Sequence, residues 1–282
     1  MKLVVAPVFV AIAAGLIVAA IPPGAAAQAG AVALASHRAV YDLKLAQSRG
    51  KRPMSAVRGR ILYDFSGSPC EGYALQFRQV SQLDSGEGRV SVSDLRATTW
   101  EDGAARRLHF HSENFLDERL RDTVDGKAER QPTGIGVKLT KPADKTLAFG
   151  VDLVFPTEHI RRVIAAAREG KSLYQVVVYD GSESGEKLYD TLAVIGKAIT
   201  PDDKKPSDAA SAQPALAALT RWPVTISYFD KGNPGGEQTP IYAITFELYE
   251  NGVSRALLLD YGDFVVAGEM TQFEIKDSKP CP

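Results

Sequence analysis

Two histidines have the spacing that most nearly suggests a metal centre. His109 and His111 alternate with Leu108 and Phe110, so on a β-strand both imidazoles point to the same face. A zinc site needs three or four protein ligands, and the other two histidines lie far away in the sequence. We therefore interpret His109 and His111 as solvent-facing residues and predict no metal site. A metal-dependent hydrolase is the least favoured of three functional hypotheses.

The sequence contains none of the common catalytic or cofactor-binding motifs. It lacks a Gly-x-Ser-x-Gly nucleophile elbow, a His-Glu-x-x-His helix and a phosphate-binding loop. The acidic run from Asp180 to Glu186 alternates like a calcium loop, but it has neither the ligand spacing nor the final bidentate glutamate. It predicts a tight turn between two strands. We therefore predict a protein with no catalytic residues and no cofactor.

Cys70 and Cys281 are the only cysteines, and they lie far apart in the chain. An even, minimal cysteine count in an exported protein indicates one structural disulfide rather than a metal site or a catalytic thiol. Closing so long a loop removes at most roughly 5 kcal/mol of conformational freedom from the denatured state. We predict that losing either cysteine lowers stability strongly.

The amino terminus has the form of a cleavable export signal. Lys2 precedes a long apolar run that ends at Pro22-Pro23-Gly24, and a small-residue stretch follows. Ala27-Gln28-Ala29 fits the signal peptidase rule, which predicts cleavage between Ala29 and Gly30. An uncleaved membrane anchor is the alternative, because the apolar run is almost long enough to cross a bilayer. We predict a signal peptide over residues 1–29 and a soluble exported protein without a membrane span.

The charge balance argues against nucleic acid as a partner. The chain has 33 basic and 34 acidic residues and a formal net charge of −1. Mixed charges of this kind create no long-range field that would attract nucleic acid or an anionic bilayer. A mature chain of about 250 residues is long enough for one large β domain or two small ones.

Alternation of apolar and polar residues dominates the mature chain. Runs such as 57–65, 73–78, 173–179 and 242–249 bury one face of a strand and expose the other. Asp102-Gly103, Asp125-Gly126 and Asp180-Gly181 predict turns, and Asn251-Gly252 fits a two-residue type I′ hairpin. The pattern predicts an all-β fold, a single antiparallel β-spiral or unclosed barrel of roughly ten to twelve strands.

One segment has helical spacing instead. Between Pro156 and Glu169 the apolar residues Ile160, Val163, Ile164 and Ala167 recur with the period of a helix, and Gly170 follows. We predict one main helix around or beside which the sheet is built. It either covers the hollow of the curved sheet or packs on its outer surface.

Residues 200–219 are rich in Pro, Asp, Lys, Ser and Ala, and they predict a flexible loop that buries nothing. Strands of the same kind flank the loop on both sides. We therefore predict that residues 30–282 form a single domain into which this loop is inserted.

The apolar strand face could hold a ligand. It must be filled by the helix, by a second sheet or by a bound molecule, for which an acyl chain or a lipoprotein tail is the natural chemistry. A core filled by its own side chains is the alternative. The aromatic residues of this predicted face are Tyr63, Phe65, Tyr73, Phe77, Phe110, Tyr228 and Phe246.

Several segments together resemble a known family. The segments are 62–73, 155–159, 179–183 and 187–190, and they combine with the carboxyl-terminal Cys281. In these segments the chain resembles the EipB-like family of alphaproteobacterial periplasmic proteins. The resemblance extends from about His37 to Cys281, over nearly all of the mature chain.

This resemblance implies both a fold and a function. It implies a β-spiral coiled around a helix, an oxidised bond between Cys70 and Cys281, and a periplasmic location. It also implies a role in cell-envelope integrity under stress, with a periplasmic tetratricopeptide-repeat protein as partner. No catalytic residues are known for the family. Our leading hypothesis is a non-enzymatic binding protein of the periplasm whose partners are a protein and a hydrophobic ligand. The alternative is a carrier or sensor of lipid or lipoprotein.

Overall fold

A single coiled β-sheet with a helix in its interior accounts for most of the chain. The structure is a computed structural model, and it describes residues 32–50, 54–86, 88–150, 152–203, 205–232, 239–278 and 281. The predicted signal peptide and its cleavage site between Ala29 and Gly30 lie outside the described residues. The part of the chain from Val32 to Pro282 forms one compact unit.

Within the described residues there are fifteen strands and two helices. The first eight strands are β1 (His37–Ser48), β2 (Ala56–Ser68), β3 (Gly72–Asp84), β4 (Val90–Glu101), β5 (Arg107–Leu116), β6 (Arg119–Gln131), β7 (Gly134–Lys141) and β8 (Lys145–Phe149). The other seven are β9 (Leu153–Val154), β10 (Leu173–Val178), β11 (Tyr189–Ile195), β12 (Arg221–Asp230), β13 (Tyr242–Tyr249), β14 (Ser254–Asp260) and β15 (Phe264–Ile275). The helices are α1 (Pro156–Arg168) and α2 (Pro214–Ala217). Neither described helix is long and apolar enough to cross a bilayer.

The sheet is an antiparallel meander whose two edges lie close together. Its strand order runs from β8 back to β1, continues with β15 and descends to β9. Only β9 and β10 pair in parallel among the described strands. Residues 150–152 join β8 to β9, so the edge strands can be at most roughly 14 Å apart at this link. The sheet therefore coils until its edges approach each other, although it remains unclosed.

The predicted all-β, unclosed architecture is confirmed, but the predicted number of strands is wrong. Ten to twelve strands were expected, and the described residues contain fifteen. The excess includes β8, which has five residues, and β9, which has two. Strands this short carry too little alternation to be recognised from sequence.

Two of the predicted turns take a different form. The N–H groups of Tyr249 and Gly252 bond to the carbonyls of Val253 and Tyr249 at 2.8 and 2.9 Å. These bonds enclose three residues, and Gly252 has φ of +88°, so the loop is a turn followed by a glycine bulge rather than a two-residue hairpin. Asp125-Gly126 lies inside β6 at a register shift. A Cβ on Gly126 would lie 2.7 Å from the Phe110 ring, so packing explains this glycine.

The acidic run also forms a longer connection than the predicted tight turn. Residues 179–188 separate β10 from β11. The Tyr179 hydroxyl donates to the carbonyl of Gly185 at 2.7 Å, which joins the two ends of the connection.

Helix α1 fills the hollow of the sheet. Val163 and Ile164 are fully buried and belong to the same core cluster as Tyr41, Ile226 and Leu248 of the strands. Of the two positions left open by the sequence, the interior one is therefore correct. The helix ends at Arg168, one residue before the predicted end.

A buried carboxylate fixes the first turn of α1. Glu101, at the end of β4, accepts the backbone N–H groups of Thr157 and Glu158 at 2.7 and 2.8 Å. It replaces the missing side-chain cap at Phe155. From β6, Arg130 donates to the Glu158 carboxylate at 2.5 Å. The helix is thus bonded at its start to two strands of the sheet.

The prediction that residues 200–219 bury nothing is wrong. Asp208 is 4% exposed and forms a buried ion pair with Arg255 of β14. Leu216 of α2 is 1% exposed, and Gln213 donates to the Phe273 carbonyl at 2.8 Å. The polar composition of the segment does not predict these contacts. A charged side chain such as Asp208 is buried favourably only with its partner, and that partner lies far away in the sequence.

Cys70 and Cys281 form a disulfide with their Cα atoms 5.7 Å apart. Cys70 lies in the turn between β2 and β3, so the bond holds the end of the chain against that turn. Lys276 adds an ion pair to Asp64 of β2 at 2.6 Å. The segment after β15 is therefore attached to β2 by two independent interactions.

Removing the disulfide should lower stability without changing the fold. The double variant Cys70→Ala, Cys281→Ala should lose up to roughly 5 kcal/mol of unfolding free energy, because the denatured chain regains the freedom of a long open loop. Chemical denaturation of the oxidised protein and the variant measures the difference. Equal unfolding free energies would contradict the prediction.

Burial of Glu101 should make stability depend on pH. Burial raises the pKa of Glu101 to about 7, although the two helix N–H groups favour the ionised form. The unfolded chain therefore ionises first as the pH rises, so the stability that Glu101 contributes is complete below pH 4.5 and is lost by about pH 7. Glu101→Gln has no such titration. Between pH 4.5 and 7.5 the unfolding free energy of wild type should therefore fall by on the order of 3 kcal/mol relative to that of Glu101→Gln.

Urea unfolding of both proteins across this pH range measures the difference, in which the titration of all other carboxylates cancels. A difference that does not change with pH would contradict the raised pKa of Glu101 in the folded protein.

Candidate functional site

A cavity of about 260 Å³ lies between α1 and the inner face of the sheet. One wall comes from β1, β2 and β3, and the opposite wall comes from β12, β13 and β14. The first turn of α1 covers part of the cavity with Pro156, Thr157 and Ile160. The apolar and aromatic side chains that line the two walls are Tyr41, Ile61, Tyr63, Phe65, Leu75, Phe77, Ile226, Tyr228, Tyr242, Ile244, Phe246, Leu257 and Leu259.

Antiparallel register assembles the first wall. Phe65 of β2 lies opposite His37 of β1 and Leu75 of β3. Tyr63, two residues earlier, lies opposite Phe77. Directly opposed residues share a face, and residues two apart on one strand do so as well, so alternation in three segments becomes one continuous apolar surface.

The second wall is built in the same way. Tyr228 of β12 lies opposite Tyr242 of β13, and their rings are 6.0 Å apart. Ile244 lies between Ile226 on one side and Leu259 on the other. The coil brings this wall to face the first one across the cavity.

The described lining contains no Lys, Arg, Asp or Glu. His37 is its only residue that could become charged near neutral pH, and burial lowers the pKa of this imidazole. Its Nδ1 lies 2.7 Å from the Ala35 carbonyl, which can only accept, so Nδ1 carries the proton and Nε2 is an acceptor. Burial also raises the pKa of Tyr63 to about 12. The cavity is therefore uncharged at physiological pH.

A polar contact joins the two walls at one end. Gln79 of β3 donates through Nε2 to the Tyr261 hydroxyl at 3.2 Å. The rings of Tyr242, Tyr261 and Phe264 follow one another at 5.2 Å spacing. Tyr261 is 39% exposed, so this aromatic row runs from the cavity to the surface.

Only part of the predicted apolar face lines the cavity. Tyr63, Phe65, Phe77, Tyr228 and Phe246 line it. The other two predicted aromatic residues lie elsewhere. Tyr73 packs behind Phe65 with ring centroids 5.4 Å apart, and Phe110 packs in a second core cluster with Tyr179 at 5.8 Å.

Lining residues absent from the predicted face include His37, Gln79 and Tyr242. His37 shares its period-two pattern with Tyr41, which could have indicated its face. Gln79 was concealed by its polarity, and Tyr242 was assigned to a strand without a role. Only the pairing of distant strands places these residues together.

The two candidate metal-ligating histidines lie on the outer face. His109 and His111 are exposed while Leu108 and Phe110 are buried, as predicted. His109 lies against Trp100 at 5.3 Å, and the Nδ1 of His111 is 3.2 Å from the Asp125 carboxylate. No group of three His, Cys, Asp or Glu side chains suited to a metal ion occurs among the described residues.

Comparison with known proteins assigns the chain to a family. Residues 28–277 match the family described as EipB-like. The chain is 38% identical over 256 residues to the cell envelope integrity protein EipB of Brucella abortus, covering 90% of this chain and 89% of that protein. A crystal structure of a β-barrel-like protein of a domain of unknown function from Brucella abortus superimposes with a TM-score of 0.80 at 37% identity. That alignment covers 88% of this chain and all of the other. The chain therefore belongs to the EipB-like family.

Proposed function

We propose that this protein supports the integrity of the cell envelope as an exported, non-enzymatic binding protein whose cavity holds a hydrophobic ligand. The name of the Brucella abortus relative supports the envelope role. The uncharged aromatic cavity supports binding. A predicted signal peptide and a disulfide between the only two cysteines favour the periplasm, where such bonds persist.

Physical chemistry favours an apolar ligand in this cavity. Each Å² of apolar surface removed from water contributes about 25 cal/mol, whereas an unpaired charge buried there would be strongly unfavourable. The backbone N–H groups of Thr157 and Glu158, in the first turn of α1, are already bonded to Glu101. The first turn of α1 is therefore not arranged to bind an anion.

The size of the cavity limits the ligand to one chain. A dry apolar cavity of about 150 Å³ binds benzene, and sites for drug-sized molecules begin at about 300 Å³. The cavity of about 260 Å³ lies between these values. A lipoprotein with several acyl chains would leave most of its apolar surface outside. This observation favours a single-chain ligand over the alternative hypothesis of an enclosing lipoprotein carrier.

A metal-dependent hydrolase is not proposed. His109 and His111 lie on the outer face, on the other side of the sheet from the cavity. The two carboxylates closest to His111 in its ion pairs, those of Glu113 and Asp125, are half-buried and exposed.

Tryptophan substitutions on β14 test the cavity. Leu259 lines it and is 3% exposed, whereas the neighbouring Leu258 points to the outer face and is 40% exposed. Leu259→Trp should fill the space and reduce the co-purifying hydrophobic ligand at least about tenfold. Leu258→Trp, the same change on the other face, should leave ligand content unchanged. Mature protein beginning at Gly30 is purified from the periplasmic fraction and examined by native mass spectrometry and solvent extraction.

Leu75→Trp provides a second cavity variant in case Leu259→Trp does not fold, because Leu75 is only half-buried. Wild-type protein without bound ligand, or equal ligand content in cavity and control variants, would contradict the proposal. Absence of the protein from the periplasmic fraction would contradict its proposed location.

We also propose a periplasmic tetratricopeptide-repeat protein as partner, which rests on the family resemblance alone. Affinity purification of the tagged mature protein from periplasmic extract should recover such a protein. Direct binding should then be measured by calorimetry with both purified components. Failure of the purified proteins to associate would overturn this part of the proposal.

A further inference from the structure

We infer that the ligand is a single-chain amphiphile with an uncharged head group rich in hydroxyl or amide groups, and that the head group lies on a polar strip beside the cavity. This inference rests on the proposed function, because it requires that the cavity bind the apolar chain. It identifies the other half of the ligand. The polar strip consists of Gln79, Ser81, Ser93, Ser112 and Asn114.

Strand register places the polar strip on the inner face of the sheet. Ser81 is two residues from the lining residue Gln79, and Gln79 Nε2 lies 3.4 Å from its hydroxyl. Ser93 lies opposite Ser81. Asn114 and Ser112 of β5 lie opposite two residues of β4, and those two residues lie opposite Gln79 and Phe77 of β3. Asn114 and Ser112 are therefore on the inner face as well. Leu95 of β4 lies between Gln79 and Asn114, so the hydroxyl and amide groups of the three strands share this surface with apolar side chains.

The polar strip continues the cavity along β3. Leu75 and Phe77 line the cavity, Gln79 lies at its end, and Ser81 follows. From Leu75 to Ser81 the strand rises by roughly 20 Å, so an extended amphiphile can lie along it. Its chain would contact the apolar half, and its head group would contact the half-buried Gln79 and Ser93, because Ser81 is itself only 4% exposed. The site therefore changes from apolar to polar along β3, as an amphiphile does from its chain to its head group.

The charges of these strands are directed away from the polar strip. Arg78 and Arg96 alternate with the inward residues and pair with Asp94 at 2.8 and 2.7 Å. They are therefore engaged on the outer face. The register places one charged residue, Asp122, opposite Asn114. Asp122 is exposed to solvent and stays hydrated, and the hydroxyl and amide groups of the polar strip favour neutral hydrogen-bonding partners.

Binding of four amphiphiles with the same decyl chain tests the head group. Decyl maltoside is uncharged, decyl phosphate is anionic, decyl phosphocholine is zwitterionic and decyltrimethylammonium is cationic. Titration calorimetry of the mature protein below the micelle concentrations measures each affinity. Decyl maltoside should bind at least about tenfold more tightly than each of the others, because a charge near the uncharged site loses hydration without a partner.

A double variant tests the polar strip itself. Ser93→Ala, Asn114→Ala removes two half-buried polar groups and should weaken decyl maltoside binding about tenfold, with little effect on decyl phosphate. Ser227→Ala, on the outer face of β12, is the matched control and should change neither affinity. If a charged amphiphile binds as tightly as the maltoside, or if the double variant binds like wild type, the inference is overturned.

The Leu259→Trp variant separates the two proposals. If it abolishes binding while wild type does not discriminate between head groups, the cavity function stands and the head-group inference fails. If no amphiphile binds to wild type, or if Leu259→Trp binds like wild type, both fail.

Discussion

The apolar inner face of one large sheet must be covered, and this constraint determines the rest of the structure. The fifteen strands that the structure describes form one meander, so no second sheet is present in that part of the chain to cover it. The sheet curls around α1 instead. With 13 residues the helix is about 20 Å long, whereas a strand of 13 residues such as β2 extends about 44 Å. The helix is therefore less than half as long as such a strand, and the inner face that it leaves unfilled contains the cavity.

The interactions that hold the coiled sheet together lie at the start of α1 and in the carboxyl-terminal segment. Glu101 and Arg130 attach the start of α1 to β4 and β6. The disulfide and the Lys276 to Asp64 ion pair attach the carboxyl-terminal segment to β2 and its turn. These contacts fix the position of both the helix and the strands that line the cavity. The cavity therefore results from the way the sheet coils around α1 rather than from a separate sequence motif.

The sequence predicts local features well and distant pairings poorly. The helix, the alternating strands and most cavity aromatics could be predicted because each depends on neighbouring residues. The packing of residues 200–219 could not, because Asp208 is buried only through Arg255. Gly126 was interpreted as a turn because its contact with Phe110 depends on the pairing of β5 and β6. The polar strip was missed for the same reason, since its members come from three strands.

Photocrosslinking with an uncharged single-chain amphiphile that carries a diazirine at the end of its chain locates the ligand most directly. Peptide mass spectrometry after irradiation identifies the modified residues. Cavity residues such as Phe65, Ile160 and Phe246 should be modified. Modification confined to exposed apolar residues of the outer face, such as Leu173, Val194 and Leu258, would contradict it.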